Sequence, residues 1–258
     1  NVTPDSFSDG GDFLDPERAA ARAATMLDEG AQIIDVGGES TRPGADPVLP
    51  EEEARRVVPV IRRIMAERPD AIISIDTYCA GTAEAALEAG ARIVNDVTAL
   101  RGDPRMAGVV ADARCPVVLM HMLGEPKTMQ RDPRYGDVVR EVRDFLAARA
   151  ERAAAAGVEE ESIILDPGIG FGKTLEHNLM LLKHLGSVVE LGFPVFVGVS
   201  RKSFIGRING VEEAKERVFG TVAANVIACE RGVTFFRVHD VRPNVEALAV
   251  TWAVLNTG

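Results

Sequence analysis

The chain has 258 residues, 46% hydrophobic and 26% charged, an ordinary globular composition with enough apolar material for a substantial core. No run approaches the ~18 apolar residues of a membrane helix and no basic-then-apolar leader is read at its start, so neither a membrane span nor export is expected. With 29 Lys and Arg against 39 Asp and Glu the net charge is −10, which argues against general nucleic-acid binding and leaves any anionic ligand to locally placed cations.

Three cysteines, Cys79, Cys115 and Cys229, are odd in number and widely spaced, without disulfide or zinc spacing. They read as reduced, mostly buried thiols of a cytoplasmic protein.

In chain order, a helical pattern over 16–29 is followed by the apolar run AQIIDV (31–36) and a helical pattern over 51–67 that opens on Pro50 and Glu51-Glu52-Glu53. AIISID (71–76), ARIVND (91–96), PVVLMH (116–121), SIILDP (162–167), PVFVGV (194–199) and VTFFRV (233–238) follow, separated by helical patterns at 80–89, 104–113, 137–156, 176–190 and 212–231, with a last one at 243–255. Apolar runs that alternate with helices read as parallel strands covered on both faces. No linker divides them, so one domain, 1–258, is expected. Seven strands and eight helices over ~250 residues predict a (β/α)8 TIM barrel, with an open doubly wound sheet as the structural alternative. The helix at 16–29 has no strand before it, so the first strand is expected upstream of Asn1, with Asn1 at its carboxyl end.

Nearly every apolar run ends in a polar residue: Asp35, Asp76, Asn95 with Asp96, His121, Asp166, Ser200 with Arg201 and Lys202, and Arg237 with His239. One such residue is usually a helix cap or a turn former. In a barrel all of them converge on one mouth. Asp76, Asn95, Asp166 and Lys202 together suit a flat heterocycle with amino, ring N–H and carbonyl groups along one edge. Arg237 and His239, two apart on a strand, face the same side, and with Arg42 and Asn1 they suit an anion, with Asn1 a candidate magnesium ligand.

The stretch D-P-G-I-G-F-G-K-T (166–174) tests a nucleotide-binding alternative. A phosphate loop would need glycine where Pro167 stands, and the dinucleotide fingerprint fails because Gly168, Gly170 and Gly172 are spaced G-x-G-x-G. The stretch reads instead as a glycine-rich turn after an apolar run, with Lys173 and Thr174 leading into a helix.

The motifs N-V-T-P-D-S-F-S-D-G-G (1–11), D-V-G-G-E-S-T-R-P-G (35–44), I-D-T (75–77), N-D-V (95–97), L-M-H-M-x-G-x-P-x-T-M-Q (119–130), D-P-G-I-G-F-G-K (166–173), S-R-K-S (200–203) and R-V-H-D-V (237–241) resemble the dihydropteroate synthase family, in register over the whole chain. The resemblance implies a folate-biosynthesis transferase, a target of sulfonamides, that joins 4-aminobenzoate to 6-hydroxymethyl-7,8-dihydropterin diphosphate. It implies pterin contacts from Asp76, Asn95, Asp166 and Lys202, and diphosphate contacts from Thr41, Arg42, Arg237 and His239. Phe7, Pro43, Phe171, Lys202 and Ser203 then wall the aminobenzoate pocket, Asn1 holds magnesium, and Asp9 lies near the reacting carbon. The catalytic set is Asp9, Lys202, Arg237 and His239, and the family pattern suggests a homodimer.

Two rivals remain on the sequence: a pterin-binding methyltetrahydrofolate–corrinoid methyltransferase, which needs no cation cluster for diphosphate, and a non-catalytic pterin-binding module. Segments 2–14 and 37–50, rich in Gly, Pro, Ser and Asp, read as lids, so 4-aminobenzoate is expected to bind only after the diphosphate end is filled. His177, His184 and His121 read as packing or support residues.

Overall fold

The computed structural model describes residues 1–2, 15–40, 48–125 and 127–257. In chain order these form α1 (Pro16–Asp28), β1 (Ile33–Gly37), α2 (Pro50–Glu67), β2 (Ile72–Asp76), α3 (Ala80–Ala89), β3 (Ile93–Asp96), α4 (Met106–Ala113), β4 (Val117–Met120) and α5 (Val138–Ala155). They continue with β5 (Ile163–Asp166), α6 (Leu175–Lys183), α7 (Gly186–Val189), β6 (Phe196–Val197), α8 (Ser203–Asn209), α9 (Val218–Glu230), β7 (Phe235–Phe236) and α10 (Val241–Leu255). Each apolar run read from the sequence is a strand, and the strand–helix alternation is that of the (β/α) barrel class. The chain divides into two compact units, Asn1–Leu119 with Arg152–Ile163, and Met120–Glu151 with Ile164–Gly258.

In the first unit β1 to β4 pair in parallel, with Gly37 opposite Asp76, Asp76 opposite Asn95, and Asp96 opposite Leu119. This register brings the polar residues to one edge, because parallel strands end together. Helix α1 starts where the sequence signals it: Pro16 takes the first position, and the Asp15 carboxylate accepts from the Glu17 N–H at 3.0 Å. Helix α2 starts at Pro50 with three glutamates in its first turn, where the helix dipole favours negative charge. Its Val57, Val60, Ile61 and Ile64 are buried, as are Ile73 and Ile75 of β2, which makes the unit's core aliphatic.

The second unit is also assembled from parallel pairings. The His121 N–H donates to Asp166 O at 2.9 Å, Leu165 bridges Val195 in parallel, and β6 pairs with β7 through Phe196–Phe235 and Val197–Phe236. Three local expectations need correction. The helix read over 176–190 is two helices, broken where His184 caps α6 and its carbonyl takes the Ser187 hydroxyl at 2.8 Å. Helix α9 starts at Val218, not 212, because the Arg217 guanidinium gathers the carbonyls of Val211 and Arg201, each at 3.0 Å, and of Glu212. Helix α8 was not read from the sequence at all, its seven residues being too few to show a period and interrupted by Gly206.

Candidate active site

In the first unit Asp76, the last residue of β2, lies opposite Asn95, next to last in β3, and both are buried. Gly37 faces Asp76 across the register, and a Cβ on it would lie 3.3 Å from the Asp76 Cβ, so the glycine leaves the aspartate room. Asp35 accepts a hydrogen bond from the Asn95 amide at 3.3 Å, which fixes which way that amide turns. Val2 N–H donates to Gly37 O at 2.7 Å, and this places the exposed Asn1 beside the carboxyl end of β1. Asp96 has the plainer role: its carboxylate accepts from Thr98 N–H and Oγ1, both at 2.7 Å, and from Leu100 N–H at 2.9 Å. Those bonds hold Ala99 and Leu100 at φ 54° and 60°, a left-handed turn that non-glycine residues adopt at a cost.

In the second unit Asp166 ends β5 with its carboxylate accepting from the Gly168 N–H at 2.7 Å. Burial lifts its pKa to about 6, against the opposing pull of Lys202, the Gly168 N–H, Lys173 and Arg237. Burial lowers Lys202 to about 8, with Asp166 opposing and Arg237 adding to the shift. The Lys202 ammonium donates to Ile169 O and lies 4.5 Å from the centre of the Phe171 ring, a cation over an aromatic face. Ser203, the first residue of α8, is exposed next to it. Asp166, Phe171, Lys202 and Ser203 are thus brought together.

Gly168, Gly170 and Gly172 all have positive φ, 66°, 86° and 63°. A Cβ on Gly168 would stand 1.9 Å from the His121 carbonyl oxygen, so only glycine fits. Arg237 N–H donates to Val197 O at 2.9 Å, which sets the arginine beside β6. The Ser200 hydroxyl meets the His239 N–H at 3.1 Å and Nδ1 at 2.9 Å. Although His239 is exposed as a residue, crowding around its ring, then Arg201 and Arg237, push its pKa down to about 4, with Asp240 opposing. Its ring is neutral at physiological pH. Phe7, Asp9, Thr41, Arg42 and Pro43 lie outside the described residues.

Several supports were missed in the sequence. Arg201, at φ 59°, has its N–H held by the Thr221 hydroxyl at 3.0 Å and its guanidinium paired with Asp240 at 2.9 and 2.5 Å. Lys173 does more than lead into α6: it is buried against His121. His121 itself is the expected support, its ring edge-on to Phe145 at 4.8 Å. His177 is likewise a packing residue, completing the capping box with Thr174 and lying edge-on to Tyr135 at 4.9 Å. Among the described residues no group of three His, Cys, Asp or Glu could hold a metal ion.

Parallel strands that alternate with helices and close on polar residues define the chain as an α/β enzyme fold. The family model of pterin-binding enzymes matches residues 1–239, and the chain belongs to that family. It is 49% identical to the dihydropteroate synthase of Synechocystis sp. over 249 residues, 96% of this chain and 84% of that one. It is similar to the structure of Xanthomonas albilineans dihydropteroate synthase with 4-aminobenzoic acid, at TM-score 0.93 and 48% identity, covering 100% of this chain and 92% of that one. It is similar also to the Xanthomonas albilineans enzyme in complex with 7,8-dihydropteroate, at TM-score 0.89 and 44% identity, with the same coverage.

Proposed function

We propose that the chain is a dihydropteroate synthase: it condenses 4-aminobenzoate with 6-hydroxymethyl-7,8-dihydropterin diphosphate and releases 7,8-dihydropteroate and pyrophosphate. The observation that carries this reading is near-complete similarity, at 44–48% identity, to enzymes crystallised with 4-aminobenzoic acid and with 7,8-dihydropteroate. Asp76, Asn95 and Asp166 hold the amino and ring N–H edge of the pterin, and Lys202 its carbonyl. Arg237 and His239, with Thr41 and Arg42, hold the diphosphate. Phe171, Lys202 and Ser203, with Phe7 and Pro43, form the aminobenzoate side.

The hard step is breaking the bond between the pterin methylene carbon and the diphosphate oxygen. Arg237 and the neutral His239 stabilise the charge that grows on the leaving oxygen. Positive charge on the methylene carbon is shared by the electron-rich ring and stabilised by Asp9. The arylamine, uncharged at neutral pH, then adds its lone pair to that carbon and gives up one N–H proton to solvent, so no strong base is needed.

The donor set fits a magnesium ion carried largely by substrate. Asn1 offers a hard amide oxygen at the end of β1, and the remaining oxygens come from diphosphate and water. When bound, magnesium neutralises charge on the leaving pyrophosphate.

A homodimer is supported by the apolar surface of α9 and α10, where Phe219 is 85%, Val250 67%, Trp252 58% and Val254 69% exposed. Free Cys79, Cys115 and Cys229 are in keeping with the cytoplasm, and no helix among the described residues is long and apolar enough to cross a membrane. The corrinoid methyltransferase reading is disfavoured by the Arg237–His239 pair, for which a methyl donor has no use. Mixing the protein with the pterin diphosphate, magnesium and 4-aminobenzoate tests the proposal. Pyrophosphate release over many turnovers supports it, and none rejects it in favour of a binding module.

A further inference from the structure

Lys173 has no part in the roles above, yet it is only 3% exposed. Its ammonium group lies 2.9 Å from Phe171 O, 2.9 Å from His121 Nδ1 and 3.4 Å from His121 O. None of these acceptors is a carboxylate, and burying an ammonium on neutral partners is costly unless it serves the site. An ammonium only donates, so His121 Nδ1 accepts and its Nε2 carries the ring proton.

The bonds fall in a pattern. Four successive carbonyls of the glycine loop are each held by a side chain: Ile169 O by Lys202, Gly170 O by Gln130, Phe171 O by Lys173, and Gly172 O by the Tyr135 hydroxyl at 2.9 Å. Lys173 also grips His121, whose N–H is bonded to Asp166 O at 2.9 Å. One buried cation therefore ties together the loop that carries Phe171, the end of β4 and the end of β5.

We propose that Lys173 is a positioning residue of the pterin site: it fixes the glycine loop against His121 and supplies positive charge to the Asp166 carboxylate that receives the pterin. This rests on the reading of Asp166 as a pterin ligand. Asp166 is faced by Lys202, the Gly168 N–H, Lys173 and Arg237. Lys173 is faced by Asp166, Lys202 and His121. Burial brings Lys173 down to about 7 and Asp166 up to about 6, so the lysine is charged over the range in which the aspartate ionises. Without that charge the Asp166 carboxyl ionises at a higher pH. Above pH 8 wild-type Lys173 is itself largely neutral, so the difference disappears there.

The test is the affinity of 6-hydroxymethyl-7,8-dihydropterin, without diphosphate, measured by calorimetry from pH 5.5 to 8.5 for the wild type, Lys173→Gln, Lys173→Met and Asp166→Asn. In both Lys173 variants the acid limb of the affinity profile should move up by about one pH unit, giving roughly fivefold more loss at pH 6 than at pH 8.5, over a pH-independent loss from the loosened loop. A limb that stays in place overturns the proposal. If the Met variant does not fold, the Gln variant, which keeps a donor to Phe171 O, decides alone. Wild-type affinity in Asp166→Asn would instead remove Asp166 from the pterin site, and the Lys173 proposal with it. A weakened Asp166→Asn beside unchanged Lys173 variants overturns the Lys173 proposal only.

Discussion

Asp166→Asn should weaken the protein's hold on pterin while leaving the fold as stable as before or more so. The carboxylate accepts the Gly168 N–H at 2.7 Å and has a second oxygen for the ligand. An amide that keeps the Gly168 bond through its oxygen turns an NH2 toward the pterin N–H groups. A buried donor facing donors costs ~1–3 kcal/mol, and loss of a charge-assisted bond brings the total to ~3 kcal/mol, or ~150-fold in affinity. Stability moves the other way. The folded-state pKa is raised by burial to about 6 from 3.8, so the carboxyl's contribution to stability is full at low pH and falls as pH rises through about 6. By pH 7 that shift of two units disfavours the folded state by up to ~3 kcal/mol, which a neutral isostere recovers in part. Calorimetry with the free pterin and thermal melts at pH 7 check both. Unchanged affinity, or a joint loss of affinity and melting temperature, would refute the reasoning.

Arg237→Ala should lower pyrophosphate affinity and kcat together, by ~2–4 kcal/mol in the transition state, while pterin without diphosphate binds as before; the reverse pattern in calorimetry would mean the two ends of the site are exchanged. Gly168→Ala must place a Cβ 1.9 Å from the His121 carbonyl at φ 66°, and a loss of at least ~3 kcal/mol is expected in urea unfolding. Replacing both Phe219 and Trp252 with Glu should turn the proposed homodimer into a monomer in analytical ultracentrifugation, with the fold kept by circular dichroism; an unchanged sedimentation coefficient would overturn the proposed contact.

The strands were legible because each is a short apolar run, and in a parallel sheet such a run has one reading. Gly37, Asp76 and Asn95 lie opposite one another on adjacent strands, so the polar residues near the end of each run could be expected to share one edge before their neighbours were known. Lys173 could not. Its burial depends on His121, 52 residues earlier in the chain, and nothing local to G-F-G-K-T sets it apart from a surface lysine at a helix start. A signal was present in the G-x-G-x-G spacing, since a loop in left-handed turns leaves its carbonyls outside any ladder and in need of donors. Which donors answer, Gln130, Tyr135, Lys173 and Lys202, is a fact of tertiary packing. The same holds for the Arg201–Asp240 pair and for α8, seven residues whose helical state is set by burial of Phe204 and Ile205 rather than by period.

The assignment of the reaction is tested most directly by quantifying both products in one mixture of protein, pterin diphosphate, magnesium and 4-aminobenzoate. Mass spectrometry for 7,8-dihydropteroate and an enzymatic assay for pyrophosphate should give equal amounts over many turnovers, with neither formed when the pterin diphosphate is omitted. Pyrophosphate without dihydropteroate, or no product of either kind from protein that binds pterin, would contradict it.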